Sequence, residues 1–267
     1  MYAIDFHAHV FPGKLADKAV PSLASAAGIE ARGNGKTEQL KQFMDEAGIR
    51  KTVLVSIATK PEQADSINQW LMGIENDCFI PFAALHPDDP ERFRRIKKIQ
   101  KSGFRGVKLH PNYQGFYPDE KKIVELCKAL ADSGLILVLH GGADKAFAEV
   151  NASPERIARL IEAAPEIKLV VAHFGGFDRW LDAEKHLAGS DVFFDISFTL
   201  SYIKDEDFLR IARKHGTDKL VFGSDYPWQD PREHIRHFQN LDLSPDIKKD
   251  ILHRNAEKLL GMEKGNF

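Results

Sequence analysis

The chain has 267 residues, of which 43% are hydrophobic, enough to bury one sizeable core. Its 37 basic and 39 acidic residues leave a formal net charge of −2, so no basic excess points to a nucleic acid or an anionic membrane surface. No apolar run approaches the roughly 18 residues of a membrane span, and no charged region followed by an apolar signal core opens the sequence, so a cytoplasmic protein is expected.

The first run, "YAIDFHAHV" at 2–10, has the composition of a buried strand. Alternate side chains of a strand share a face, so Asp5, His7 and His9 are expected to point one way and Ile4, Phe6 and Ala8 the other. Positions 10–37, with "ARGNGK", follow as a long loop, either a lid or an ordered surface excursion with its own short helix. Strand runs "KTVLVSIAT" and "FIPFAALHP" come next. Asp89, Pro90 and Glu91 then signal the start of a helix that carries "RFRRIKKIQK", a basic run that reads as a solvated face. Gly103 ends it, and "FRGVKLHP" is the fourth strand.

In "DEKKIVELCKALADSG" the residues Ile123, Leu126, Cys127 and Leu130 follow helical spacing, and Gly134 closes the element. Cys127 therefore lies on an apolar stripe; with Cys78 it reads as reduced, far from any metal spacing. Strand five is "LILVLHGG". Ser153, Pro154 and Glu155 cap a helix bearing Ile157, Leu160, Ile161 and Ala164. Strands six to eight are "IKLVVAHFGG", "VFFDISFT" and "KLVFGSDYPW", with Gly216 ending the helix before the last. Eight strand–helix alternations predict an α/β fold, a (β/α)8 TIM barrel, as one domain over 1–267. An open doubly wound sheet is disfavoured, because no glycine-rich phosphate fingerprint follows the first strand.

The polar residues fall at strand ends. His7 and His9 close strand one, His140 strand five, His173 strand six and Asp225 strand eight, where barrel enzymes assemble their sites. Burying unpartnered imidazoles and a carboxylate together is costly, and a divalent cation offsets that cost. Nitrogen plus carboxylate oxygen suits zinc best, with iron, cobalt or manganese acceptable. Three histidines and an aspartate leave room for a water, the mark of a catalytic site.

The pieces "DFHAH", "GVKLHP", "VLHGG", "VVAHFGG", "FGSDYPW" and "HRNAEKLLG" together resemble the amidohydrolase superfamily. Within it they are most similar to family 2, the branch that includes aminocarboxymuconate-semialdehyde decarboxylase and many metal-dependent hydrolases. The resemblance implies His7, His9, His140 and Asp225 as ligands of one divalent metal, zinc first, with a second metal possible. It implies Asp225 as a proton acceptor. His173 would be a catalytic base, a group polarising the substrate, or a ligand of a second metal. The implied reaction is hydrolysis of an amide, lactone or ester-like bond in a small organic acid by a metal-activated water; the alternative is non-oxidative decarboxylation of an unsaturated or aromatic acid. A homodimer is also implied. Nucleases with a similar opening carry a glutamate on strand four, where this chain has "GVKLHP".

Lys108 and His110 are two apart, so both can face the axis as substrate-binding groups. Lys108 could instead be carboxylated and bridge two metals, or be a structural lysine paired with Asp5 or Asp195. His110 could be a turn residue. Asp195 reads equally as a residue orienting the site from behind or as barrel-interior bonding. His86 reads as structural, Trp228 and Phe174 as pocket walls or core, and Arg32 as a solvated loop residue or an anion contact. His186, His215, His234, His237 and His253 lie on helical patterns without an assigned role.

Overall fold

The structure, a computed structural model, describes residues 2–75 and 77–262. In chain order the strands are β1 (Ala3–Ala8), β2 (Ile49–Val55), β3 (Phe79–Ala84), β4 (Gly106–Leu109), β5 (Ile136–Leu139), β6 (Lys168–Val171), β7 (Phe193–Asp195) and β8 (Leu220–Val221). Each pairs in parallel with the next. Closure comes from Phe6 N–H donating to Phe222 O at 2.7 Å, Asp225 N–H to His7 O at 2.8 Å and His9 N–H to Tyr226 O at 2.6 Å. The helices are α1 (Gly13–Ala27), α2 (Thr37–Ala47), α3 (Ala64–Met72), α4 (Arg92–Lys101), α5 (Pro111–Gln114), α6 (Lys121–Asp132), α7 (Pro154–Ala163), α8 (Trp180–His186), α9 (Asp205–His215), α10 (Pro231–Asn240), α11 (Pro245–Lys249) and α12 (Asn255–Leu260). The fold is a (β/α)8 barrel in one domain. Among the described residues, no helix is long and apolar enough to cross a membrane.

Two apolar layers hold it. The inner one joins Ile4, Phe6, Val53, Val55, Phe82, Val138 and Val170 inside the barrel, with Ala256 and Leu260 of α12 packed onto it. Phe6 meets Phe82 edge-on, ring centroids 5.8 Å apart. Gly106 makes room for this pair: a Cβ there would sit 2.3 Å from the Phe82 ring. The outer layer joins the other strand faces to the helices and includes the α6 stripe Ile123, Leu126, Cys127 and Leu130. On α4, Ile96 and Ile99 are buried. Arg94, Arg95 and Lys98 of the basic run pair with Glu91, Asp65 and Asp89. The cap at Ser153 forms as expected, its side chain accepting from Arg156 N–H. Asp89 caps one turn early: it accepts from Glu91 N–H, and α4 begins at Arg92.

One expectation is corrected here, and two open readings, of the stretch 10–37 and of Phe174, are narrowed. Strict alternation along β1 fails, because Asp5 pairs with Thr52 and Ala8 with Leu54, three residues of β1 spanning two of β2. Ile4 and Phe6 face the inner layer while Ala8 faces the outer one, so the extra residue turns His7 and His9 to the axis. Asp5 is left behind, its carboxylate bound to Ser224 N–H, Ser224 Oγ–H and His7 N–H. The stretch 10–37 is mostly the fifteen-residue helix α1, capped by Gly28 at φ 61°. Its remainder is tied to the loop after β8 by Arg32 N–H and Gly33 N–H donating to Pro227 O, at 2.8 and 3.0 Å. Phe174 is core, fully buried and stacked on Phe208 at 4.5 Å.

His215 and His234 are structural. His215 stacks on Phe194 with ring centroids 3.7 Å apart, and burial pushes both imidazoles down to about 4. An unfolded histidine titrates near ~6.5, so between about 6.5 and 4 the unfolded chain takes up protons that the folded chain refuses. Stability is therefore full above that window and lost as pH falls through it. His215→Phe removes one such proton. The loss of unfolding free energy between pH 6.5 and 4.5 is expected to shrink by about 2 kcal/mol in urea titrations. An unchanged pH slope contradicts this assignment.

Candidate active site

The polar strand ends meet over the mouth of the barrel. His7 Nδ1 donates to Asp195 Oδ2 at 2.8 Å, and His9 Nδ1 donates to Val55 O at 2.8 Å. Each bond fixes the proton on Nδ1 and leaves Nε2 as an acceptor, that of His7 facing Lys108 Nζ at 3.3 Å. The two Nε2 atoms lie 3.2 Å apart, and Asp225 Oδ1 lies 3.2 Å from His9 Nε2 and 3.5 Å from His7 Nε2. Asp225 Oδ1 is buried without a hydrogen-bond partner among the described residues. Three lone-pair atoms so placed repel one another unless a cation lies between them. Bonds of ~2.1 Å at right angles or tetrahedral angles would space ligand atoms about 3.0 to 3.4 Å apart, close to the observed separations. The three residues fit a divalent ion.

Charge states agree with that fit. Burial, helped by the Lys108 charge, pushes the His7 imidazole down to about 4, so it is neutral at pH 7. Burial alone would raise the Asp225 and Asp195 carboxyls. The histidines beside each outweigh it and hold both below the usual carboxylate range. Neutral imidazole and ionised carboxylate are the forms that bind metals. Asp225 sits at φ 67°, a left-handed conformation that turns its side chain to the group. Gly223 keeps β8 close, since a Cβ there would come within 3.1 Å of His7 Cβ and Ser197 Cβ.

Asp195 is the hub behind the site. Besides His7 it accepts from His173 N–H, Ser197 N–H and the Ser197 hydroxyl. Lys108 is buried, its Nζ 3.3 Å from His7 Nε2; burial pushes its ammonium down to about 8, against the pull of Asp195, Asp225 and Asp144. It makes no ion pair with Asp5 or Asp195.

His140 is not in the His7–His9–Asp225 group. Its Nε2 donates to Ala143 O at 3.1 Å, and its Nδ1 faces His173 Nε2 at 3.0 Å. Burial lowers both imidazoles. His110 Nε2 lies 3.2 Å from Asp144 Oδ2, and its Nδ1 is buried without a partner among the described residues. His110, His140 and Asp144 form a second group near enough to consider for a metal. The two rings stack 4.0 Å apart at 17°, so their in-plane lone pairs run side by side and do not converge on one ion. Asp144 and Ser197 were not singled out from sequence. For Asp144 the available signal is an acid four residues beyond a strand-end histidine.

His7, His9, Lys108, His110, His140, Asp144, His173 and Asp225 line one cavity of about 500 Å³, together with Trp228. His86 stays out of it, accepting from Asp88 N–H in a turn. Arg32 pairs with Glu233 and Glu30 on the surface.

A family model described as amidohydrolase matches residues 4–262. The chain belongs to amidohydrolase family 2. Solved structures agree with the fold of this amidohydrolase. An uncharacterised TIM-barrel protein from Bordetella bronchiseptica is 21% identical, with 98% of this chain and 99% of that one covered and a TM-score of 0.79. 2,6-Dihydroxybenzoate decarboxylase from Rhizobium is 15% identical, with 98% and 99% covered and a TM-score of 0.73. 5-Carboxyvanillate decarboxylase from Novosphingobium aromaticivorans, complexed with manganese and 4-hydroxy-3-methoxy-5-nitrobenzoic acid, is 18% identical, with 98% and 96% covered and a TM-score of 0.74. At these identities the likeness is one of fold. No curated protein matches the amidohydrolase in sequence.

Proposed function

We propose that this amidohydrolase is a metal-dependent, non-oxidative decarboxylase of a small aromatic or unsaturated carboxylic acid. The observation that carries the reading is the cavity: aromatic and aliphatic walls stand directly over the ion-fitting group. A carboxylate taken out of water into such a site loses solvation that the departing carbon dioxide does not need. Two of the proteins sharing the fold are decarboxylases of aromatic acids, one of them with manganese bound. Hydrolysis, the expectation from motifs alone, takes second place for these reasons.

His7, His9 and Asp225 would hold a divalent ion, manganese or zinc. Recruiting His140 as a fourth ligand would require giving up a bond it now makes. When bound, the ion supplies Lewis acidity toward substrate oxygens. The chain's own groups do the rest. The Lys108 ammonium faces the substrate carboxylate from the barrel floor. Asp225, ionised, accepts the proton that an ortho hydroxyl gives up and returns it to the carbon that loses carbon dioxide. The carbon–carboxyl bond breaks with its electron pair left on that carbon, and the returned proton closes the balance. His173, its Nε2 3.0 Å from His140 Nδ1, is a second group able to hold or deliver a proton.

The test is carbon dioxide release from a panel of hydroxybenzoates by the manganese-loaded protein. Release that stops on chelation is expected. Turnover of esters, lactones or amides, with no acid in the panel decarboxylated, contradicts the reading. Asp195→Asn checks the orientation of His7: it is expected to weaken metal affinity about 10- to 100-fold in chelator competition. Unaltered affinity would detach Asp195 from the site.

A further inference from the structure

The cavity is larger than one acid ring requires. A benzoate has nine heavy atoms, and at a water molecule's ~30 Å³ each it fills at most about 270 Å³. About 500 Å³ is available. Part of its wall is built by two helices. From α1 come Leu15, Ala19, Leu23 and Ala27, one every fourth residue, and α3 adds Ile67 and Trp70.

The α1 stripe is not packed as core. Its neighbouring stripe, Ala16, Val20 and Ala24, is the one buried against the protein. Leu15 is 52% exposed, and Ala19, Leu23 and Ala27 are partly exposed. From Leu15 to Ala27 the helix runs about 18 Å. An apolar face this long, continuous with the floor that holds Lys108, His7, His9 and Asp225, is shaped for a ligand with a polar head and an apolar body. The cationic lining is Lys108 at the floor and Lys145, an exposed residue 5.3 Å from the Tyr202 ring centroid.

We propose that the substrate is an amphipathic acid, with its carboxylate head at Lys108 and the His7–His9–Asp225 group and an apolar chain or second ring lying between α1 and α3. The head rests on the decarboxylase reading; the tail rests on the two helices.

Calorimetric titration of the full-length protein, with and without manganese, tests it. The ligands are straight-chain carboxylates from butanoate to decanoate, and 2-hydroxybenzoate. Kd is expected to fall about fourfold per added methylene over the first several, with the same slope whether or not the metal is present. Ala19→Trp, which fills the trough, is expected to flatten the slope, and Leu23→Glu to do the same by wetting it. Equal affinities for butanoate and decanoate in the native protein overturn the tail. A flat slope with 2-hydroxybenzoate still bound and decarboxylated removes the tail alone. A steep slope with no carbon dioxide released from any acid, 2-alkyl-substituted hydroxybenzoates included, removes the decarboxylase reading and leaves the tail.

Discussion

Asp225→Asn is expected to fold as the native chain does and to lose turnover by a factor on the order of 10² or more. The backbone tolerates the change. Position 225 sits at φ 67°, and asparagine adopts the left-handed region more readily than other residues with a side chain. The amide is nearly the shape of the carboxylate, so the bonds from Asp225 N–H to His7 O and from Trp228 N–H to Asp225 O survive. What changes is the group chemistry. An amide nitrogen can donate toward His9 Nε2 and His7 Nε2, now 3.2 and 3.5 Å from Asp225 Oδ1, and so replaces repulsion by a hydrogen bond. It can neither accept a proton nor bind a cation as a carboxylate does. The metal-free melting temperature should thus hold or rise while kcat collapses. Near-normal turnover removes Asp225 from its proposed role.

His7→Ala combined with His9→Ala is expected to remove metal and activity together while leaving the barrel folded. Both side chains lie at the mouth, beyond the inner layer of Ile4, Phe6, Val53 and Phe82 that fills the barrel. Their loss frees Asp195 Oδ2 and Val55 O, but Asp195 keeps its bonds to Ser197 N–H, the Ser197 hydroxyl and His173 N–H. With two of three convergent atoms gone, Asp225 alone cannot hold an ion. Circular dichroism should be native-like and the metal content near zero. Full metal retention would place the ion elsewhere.

Much of this was legible in the sequence because parallel strands covered on both sides write themselves as continuous apolar runs. All eight are where those runs lie, even β7 and β8, which are three and two residues long. The candidate site was legible because its residues terminate those runs. Inside the site, the period-two rule misled. The extra residue in β1 exchanges faces between Phe6 and Ala8, and no residue type in "DFHAH" marks it. His173 and Phe174 both have φ near 59°, so the chain turns sharply there, placing the histidine in the site and the phenylalanine against the helices. Within 10–37 a short helix was one of two readings, and α1 is longer than that because it continues through Pro21, which has no N–H to donate. Asp144 orients His110 across a loop, a relation that spacing along the chain does not encode.

If His7, His9 and Asp225 hold a divalent ion as proposed, metal content per chain shows it. Protein purified without chelator or affinity nickel, then analysed by plasma mass spectrometry, is expected to carry about one manganese or zinc ion per chain, or to take one up on incubation. No ion bound, even after incubation with manganese, zinc and cobalt, would contradict the proposal.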